Sequence, residues 1–424
     1  MKSLRTKLPY DTANEVVVND WFPSLNGLRA ISITLVILHH LGKTTNIFQS
    51  ISTHKWLMPF LRFIQDGQLG VNIFFVISGF LITSLLLKEE ERTHTVSMKQ
   101  FFLKRVLRIF PAYYFMLFVY VGMNAVGLIH VSAPSFLTAF TFTKQFNWSL
   151  DWFTAHGWSL SIEEIFYLCW PAIFIRGHKF RKLAVWALIV FVPVCRVFVH
   201  FYPISWMSEL SLFWRIDAIA TGCLLALYRN RILVLLSAHW KLLFWCSIFA
   251  LLGLRYFQSL AGLVQAGFIF IPLGLTDGTI ANALIGIILM YSVFGPHKYW
   301  FSFLNLKWVS FIGTISFSIY LWQQLFISGI DWWIAQFPQN LVAVAAMALF
   351  SFYMIETPFL RLKSKLATTD QYSVRRRLAI LLGSLIPHRA QKLATTPVKP
   401  KRKHNMLYFL SFGWVWTIFH IFKD

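Results

Sequence analysis

Long apolar runs alternate with short polar segments along most of this chain. A helix needs roughly 20 mostly apolar residues to cross a bilayer, and each run is about that long. The pattern predicts ten membrane-spanning helices, at residues 25–43, 69–88, 109–128, 158–175, 183–200, 210–228, 241–257, 278–296, 311–329 and 338–356. We therefore expect an all-α, polytopic integral membrane protein.

The composition supports this fold class. Of the 424 residues, 57% are hydrophobic and 13% are charged, whereas soluble domains average about 25% charged and 45–50% apolar residues. This excludes an ordinary soluble enzyme, a disordered chain and a coiled coil.

The distribution of positive charge predicts the orientation. The formal net charge is +22, and most Lys and Arg residues fall in alternate connecting segments and in the tail. If the N-terminus is cytoplasmic, the outer loops carry only Lys43, Lys55, Arg62 and Lys144. Because cytoplasmic loops are enriched in Lys and Arg, both termini are expected in the cytoplasm. The charge then needs no nucleic-acid partner.

Three regions follow from this map. Residues 1–24 form a cytoplasmic N-terminal segment, residues 25–362 the transmembrane domain, and residues 363–424 a basic cytoplasmic tail. Basic runs beside a membrane are typical of contact with anionic lipid. The apolar run 406–421 is short for a span and is expected to lie in the interface. The alternative, an eleventh span, would place the C-terminus outside.

Ionisable residues inside spans are costly and are usually functional or paired. Arg29 and His40 lie eleven residues apart in the first span, so they share one helix face about 16 Å apart. His40 is either a hydrogen bonder between helices or, beside a carboxylate, a general base. Glu163, in the fourth span, has a similar predicted depth and is our candidate for that carboxylate. Arg215, Asp217 and Glu356 fit structural ion pairs as well as catalysis.

An arginine pair precedes the third span on the predicted cytoplasmic side. Arg105 and Arg108 are three residues apart and share a helix face. Two guanidinium groups placed in this way suit phosphate oxygens. The alternative is a simple positive anchor at the membrane surface.

Seven motifs in order make the chain similar to the acyltransferase 3 family of membrane acyltransferases. The matching segments are 26–30 (NGLRA), 70–82 (GVNIFFVISGFLI), 105–113 (RVLRIFPAY), 158–167 (WSLSIEEIFY), 215–218 (RIDA), 316–322 (SFSIYLW) and 355–359 (IETPF). The resemblance covers about residues 22–362.

The resemblance implies an O-acyltransferase of a bacterial inner membrane that acylates a cell-envelope or exported glycan. Its donor would be cytoplasmic acyl-CoA, with acetyl-CoA the favoured form, and no metal is expected. Residue by residue, the family's motifs assign catalysis to His40 and Glu163 and donor binding to Arg29, Arg105 and Arg108. Glycan-binding candidates in the same motifs are Trp158, Arg215, Tyr320 and Trp322.

The chain departs from the family pattern at two positions. Asn72 stands where the family often has Asp, and Gln323 stands where a His often follows Leu-Trp. Both changes remove an ionisable group, so we expect neither residue to perform acid–base chemistry. Some members carry an additional extracytoplasmic hydrolase-like domain; here we expect transfer to be completed within or beside the membrane domain.

Other functions fit parts of the pattern. Ten spans with buried charges also describe a transporter or flippase for a lipid-linked sugar or a small anionic solute. A non-catalytic scaffold would leave the aligned Arg29 and His40 unexplained. Ser78 is either a second candidate nucleophile or a small residue for close helix packing.

Overall fold

Helices are the only regular elements in the part of the chain that the structure describes. The structure is a computed structural model, and it describes residues 22, 24–45, 58–146, 151–202, 215–264, 270–296 and 298–368. Within these ranges there is no β-strand. The predicted all-α class is therefore confirmed.

Seventeen α-helices follow one another in these ranges. The first eight are α1 (Leu25–Thr44), α2 (Met58–Ile64), α3 (Gly67–Thr93), α4 (Met98–Ala125), α5 (Ala133–Phe140), α6 (Trp152–Ala155), α7 (Gly157–Phe174) and α8 (His178–Phe201). The others are α9 (Ile216–Leu227), α10 (Arg229–Ser237), α11 (Trp240–Val264), α12 (Phe270–Phe294), α13 (Tyr299–Leu304), α14 (Lys307–Thr314), α15 (Ser316–Phe326), α16 (Gln339–Phe350) and α17 (Thr357–Thr368). Short 3₁₀ segments lie at Lys144–Phe146 and Trp333–Ala335, and a π-helical segment at Ser351–Glu356 joins α16 to α17.

Five of the described helical segments are long and apolar enough to cross a membrane, or six if one bent pair counts as a span. The five are Leu25–Thr44, Gly67–Thr93, Met98–Ala125, His178–Val199 and Gln339–Lys363. Each of the ten predicted apolar runs contains helical backbone. However, only five or six described segments have the length and composition of a complete span. The count of ten and the orientation of the termini stay predictions.

Breaks within the apolar runs account for much of the difference between the ten predicted spans and the five or six candidate spans of the described residues. The sixth predicted span holds the 12-residue α9, and α9 and α10 are bent by 82° relative to each other. The ninth is divided into α14 and α15 around Ile315. The fourth is one helix, α7, whose Glu163 and Glu164 lower its mean hydropathy.

Close packing of α3 against α9 forms the centre of the bundle. Gly79 on α3 faces Gly222 on α9, where a Cβ atom on Gly79 would overlap the carbonyl oxygen of Ile219. A Cβ on Gly222 would likewise overlap the carbonyl oxygen of Val76. α1 packs on α3 and α14, so the helix carrying Arg29 and His40 is held inside this group.

The chain divides into two compact units, Met1–Lys363 and Ser364–Asp424. All the residues considered below belong to the first unit. The apolar run 406–421 lies outside the described residues, and its assignment to the interface stays a prediction.

Candidate active site

Three arginines come together near the start of α1. Arg29 is in the second turn of that helix, and Arg105 and Arg108 lie one turn apart on α4. Arg29 interacts electrostatically with both of the others, and all three side chains are half-buried. We call Arg29, Arg105 and Arg108 the arginine cluster. The residues predicted to bind the donor are thus neighbours in space.

Arg105 is held by contacts that leave part of its guanidinium unpaired. Its guanidinium carbon lies 3.1 Å from the centre of the Tyr167 ring, and its Nη2 lies 3.7 Å from Oε1 of Glu164. That separation is too long for a hydrogen bond. The Nε and Nη2 atoms are buried and have no hydrogen-bond partner in the protein. Two such donors on one planar group fit a phosphate or another oxyanion.

Glu163 belongs to the arginine cluster rather than to His40. Ser78 donates a hydrogen bond to its Oε1 at 3.0 Å, and the Tyr167 hydroxyl donates to its Oε2 at 3.3 Å. The carboxylate also interacts electrostatically with Arg105 and Arg29. Ser78 therefore serves as a partner of Glu163, and Gly79 is the residue that permits the close packing.

A third carboxylate adjoins this cluster from the π-helical segment between α16 and α17. Glu356 accepts a hydrogen bond from Ser318 and interacts electrostatically with Arg108. Its side chain is 6% exposed. Glu356 therefore lies beside the arginine cluster, and its role there, structural or catalytic, stays a prediction.

His40 lies near the other end of α1. Its Nδ1 is 3.1 Å from Oε1 of Gln323 on α15. An amide oxygen only accepts hydrogen bonds, so Nδ1 carries the hydrogen in this pairing. The lone pair of the neutral imidazole is then on Nε2, which is the atom left to accept a proton.

A second histidine and an indole complete this end of the site. His156, only 3% exposed, has its Nδ1 2.5 Å from Oε1 of Gln324. The Trp152 indole N–H donates to the Gln324 carbonyl oxygen at 2.8 Å, and its ring lies edge-to-face with His40 at 5.4 Å. We call His40, His156, Gln323, Gln324 and Trp152 the histidine cluster.

The predicted pairing of His40 with Glu163 is wrong. Trp152 contacts the ring of His40, and His156 interacts electrostatically with it. The start of α7 therefore lies level with His40 along the bundle. Glu163 is seven residues beyond His156, which places it about 10 Å along α7 toward the arginine cluster. A catalytic role for Glu163 itself stays a prediction.

The four predicted glycan-binding residues lie in different environments. Tyr320 contacts the backbone of the histidine cluster, since its hydroxyl donates to the His156 carbonyl at 2.9 Å and lies 2.6 Å from Ser159 Oγ. Trp158 is half-buried against Phe75. Arg215 precedes α9 as its N-cap residue. For Trp158, Arg215 and Tyr320, contact with the glycan stays a prediction.

Trp322 offers no surface to a glycan in this structure. It is fully buried, with the rings of Phe115 and Tyr120 packed edge-on at 5.9 and 6.1 Å. The Trp322 ring therefore serves in the packing of α15 against α4.

A separate ion pair explains the buried Asp217. Arg196 on α8 donates to Oδ1 of Asp217 at 2.8 Å, and Thr279 on α12 donates to Oδ2 at 2.6 Å. This network joins three helices and has the geometry of a structural pair.

Among the described residues, no group of three or more His, Cys, Asp and Glu side chains is arranged to hold a metal.

Sequence reasoning missed His156, Gln324 and Trp152, and it considered Gln323 only to exclude it from acid–base chemistry. Two adjacent glutamines within an apolar helix are the signal that could have found them, because buried amides require partners. Which partners they find depends on how α6, α7 and α15 meet.

Comparison with known proteins identifies the family of the chain. The model of the family described as "Acyltransferase domain" (Acyl_transf_3) matches residues 22–357. Peptidoglycan O-acetyltransferase OatA of Listeria monocytogenes is 29% identical over 383 residues, covering 80% of this chain and 56% of that protein. O-acetyltransferase OatA of Staphylococcus aureus is 27% identical over 374 residues, covering 80% and 57%.

A third relative is the putative peptidoglycan O-acetyltransferase YrhL of Bacillus subtilis, 25% identical over 433 residues, with 92% of this chain and 60% of that protein covered. The chain thus spans less than two-thirds of the length of these curated relatives. No solved structure matches it. Since the family model covers most of the chain, including both clusters, this chain belongs to the acyltransferase 3 family.

Proposed function

We propose that this protein is a membrane-bound O-acetyltransferase of the bacterial inner membrane. It moves an acetyl group from cytoplasmic acetyl-CoA to a hydroxyl of a cell-envelope glycan. Peptidoglycan is the favoured acceptor, since two of the relatives are named for it. The observation that carries the proposal is the placement of an anion-binding group and a proton-accepting group on one face of α1, about 16 Å apart.

The arginine cluster is suited to the phosphates of the donor. Three guanidiniums and the ammonium of Lys363 adjoin the three carboxylates Glu163, Glu164 and Glu356, which leaves one formal positive charge in excess. The unpaired Nε and Nη2 atoms of Arg105 supply directed donors for phosphate oxygens. Glu163 interacts with Arg29 and Arg105, and Ser78 in turn donates a hydrogen bond to Glu163. The extended pantetheine arm is long enough to carry the thioester from this cluster to His40.

The histidine cluster is suited to the transfer itself. Nε2 of His40 takes the proton of the acceptor hydroxyl while the hydroxyl oxygen attacks the thioester carbonyl. The new ester C–O bond forms, the C–S bond breaks, and the leaving CoA thiolate takes the proton from the imidazolium. In a two-step version, Nε2 first attacks the thioester carbonyl, a C–N bond forms and the CoA thiolate leaves as the C–S bond breaks. The glycan hydroxyl then attacks the acetyl carbonyl, the ester C–O bond forms as the C–N bond breaks, and the hydroxyl proton passes to the thiolate.

The test compares two adjacent histidines. His40→Ala should lower acetyl transfer at least 100-fold, because general-base catalysis contributes roughly 10²–10⁴-fold. His39→Ala is the matched control, since Nδ1 of His39 is 2.7 Å from the carbonyl oxygen of Gln65 and takes no part in the proposed transfer. The readout is base-labile acetate on the envelope glycan of cells that lack the native gene, at equal membrane levels of each variant.

A third variant tests the donor end of the site. Acetyl transfer is measured with purified protein at increasing concentrations of acetyl-CoA. Arg105→Ala should raise KM for acetyl-CoA by about 10- to 100-fold, the effect of losing one charge-assisted hydrogen-bonding group, and Arg105→Lys should recover part of it. Full transfer by His40→Ala would contradict the proposal. An unchanged KM in Arg105→Ala would remove Arg105 from the donor site.

A further inference from the structure

A cavity of about 640 Å³ lies at the end of the bundle opposite the arginine cluster. Asn124, in its wall, is 19 residues beyond Arg105 on α4, which is about 28 Å along that helix. Trp152 and Phe153 of α6 form another wall, and Ser328 lies just beyond α15. The volume falls within the roughly 300–1,000 Å³ of typical small-molecule sites.

Trp152 is the wall that the cavity shares with the histidine cluster. Its indole N–H is held by the Gln324 carbonyl at 2.8 Å, so the ring orientation is fixed. The ring borders the cavity and also contacts the imidazole of His40 at 5.4 Å. A molecule seated in the cavity is therefore separated from His40 by the width of one indole ring.

The lining combines apolar surface with neutral hydrogen-bonding groups. Leu128, Ile129 and Ile330 supply apolar surface beside the aromatic rings. None of the lining residues is Asp, Glu, Lys or Arg, so the cavity is unlike the arginine cluster and has no pairing partner for a phosphate. Its chemistry is that of a site for a neutral ligand.

Two side chains in the wall have hydrogen-bonding capacity to offer such a ligand. The Ser328 hydroxyl oxygen is buried without a hydrogen-bond partner in the protein. Asn124 accepts a bond from the backbone N–H of Val131 at 2.8 Å through its Oδ1, and its amide nitrogen still has two hydrogens to donate. His130, an exposed imidazole, lies at the same wall.

We propose that this cavity binds a sugar unit of the acceptor glycan. Sugar rings present an apolar C–H face and a rim of hydroxyls, which match the Trp152 and Phe153 rings and the neutral polar groups of Asn124, His130 and Ser328. The inference rests on the proposed function and extends it. The cavity holds one sugar unit on the far side of Trp152 from His40, and a neighbouring unit of the same glycan brings the reacting hydroxyl to His40. The Trp152 and Phe153 rings replace Trp322 as the aromatic surface for the glycan.

The experiment separates binding from turnover. Chitotetraose, a soluble chain of β-1,4-linked N-acetylglucosamine, serves as the probe, and its binding to the purified full chain is measured by saturation-transfer NMR without acetyl-CoA. Ser328→Ala and Asn124→Ala should each weaken binding by roughly three- to tenfold, the loss of one neutral hydrogen bond. Thr141→Ala is the matched control, because it removes an exposed hydroxyl that lies outside the cavity lining.

Turnover is then measured with acetyl-CoA present. The cavity variants should raise KM for the oligosaccharide by the same three- to tenfold and leave KM for acetyl-CoA unchanged. Unchanged binding and unchanged acceptor KM in both variants would overturn the inference while leaving the proposed transferase intact. Wild-type binding that the variants weaken, without any acetyl transfer by the wild type, would uphold the cavity as a sugar site and contradict the proposed function.

Discussion

Two adjacent glutamines in α15 hold the two histidines of the site. Gln323 pairs with His40 and Gln324 with His156. An amide fixes the tautomer and ring orientation of an imidazole without adding a charge, and a neutral partner costs less to bury in a membrane than a carboxylate. Gln323, which the sequence excluded from acid–base work, is thus a positioning residue for the proposed base.

Replacing Gln323 tests this positioning role. Gln323→Leu should lower kcat by about 10- to 100-fold with KM for acetyl-CoA unchanged, because His40 keeps its place but loses the bond that fixes Nε2 as the acceptor. Gln323→His should recover part of kcat, since a neutral imidazole nitrogen can accept from Nδ1. The measurement is kcat and KM for acetyl-CoA from steady-state kinetics on the purified variants. A rise in KM with kcat unchanged would mean that Gln323 affects donor binding instead.

Residue spacing predicted one end of the site better than the other. Arg105 and Arg108 share a face because they are three residues apart, and the eleven-residue spacing placed Arg29 and His40 on one face of one helix. These relations hold within a single helix. The partners of His40 and Glu163 depend on the relative depth of α1, α7 and α15, and periodicity contains no information about depth.

At the scale of the elements, the contact between α3 and α9 sets the framework of the site. Gly79 follows Ser78, the residue that donates to Glu163, so the position of that hydroxyl depends on the close approach of the two helices. Small residues allow helix backbones to approach closely in membranes. The Ser-Gly-Phe segment therefore combines a packing position with a polar partner for the arginine cluster.

Gly79→Ala should destabilise the protein because the added Cβ meets the backbone carbonyl of Ile219. Overpacking of this kind costs about 1–3 kcal/mol, more than the gain of about 1 kcal/mol from replacing Gly in a helix. Gly122→Ala on α4 is the matched control, because nothing lies within 4 Å of its added Cβ. The measurement is the thermal unfolding midpoint in detergent. Equal midpoints for the two variants would contradict the packing account.

The positions of the apolar runs predicted where helices form, and the breaks within them were not predictable from hydropathy. The run at 311–329 is divided at Ile315, and the run at 338–356 passes through a π-helical segment before α17. Near both breaks a side-chain hydroxyl bonds to a backbone carbonyl, Ser316 to Gly313 and Thr357 to Phe352. The mean hydropathy of a window of about 20 residues does not reveal such breaks.

At the scale of the whole molecule, the charged and neutral parts of the site lie at opposite ends of the bundle. The arginine cluster is near the start of α1 and of α4, and the histidine cluster and the cavity lie toward the far ends of both helices. In the proposed orientation, the donor approaches from the cytoplasm and the glycan from outside. In the proposed acetyl transfer, the donor and the acceptor therefore come from opposite sides of the membrane.

Purified protein in sealed vesicles tests this claim most directly. Chitotetraose is enclosed in the vesicles, radiolabelled acetyl-CoA is added outside, and O-acetylated oligosaccharide is counted after the external solution is removed. The account predicts labelled product inside vesicles with the wild type or His39→Ala, and at least 100-fold less with His40→Ala. Product that forms only when acetyl-CoA and oligosaccharide share the same side of the membrane would contradict it.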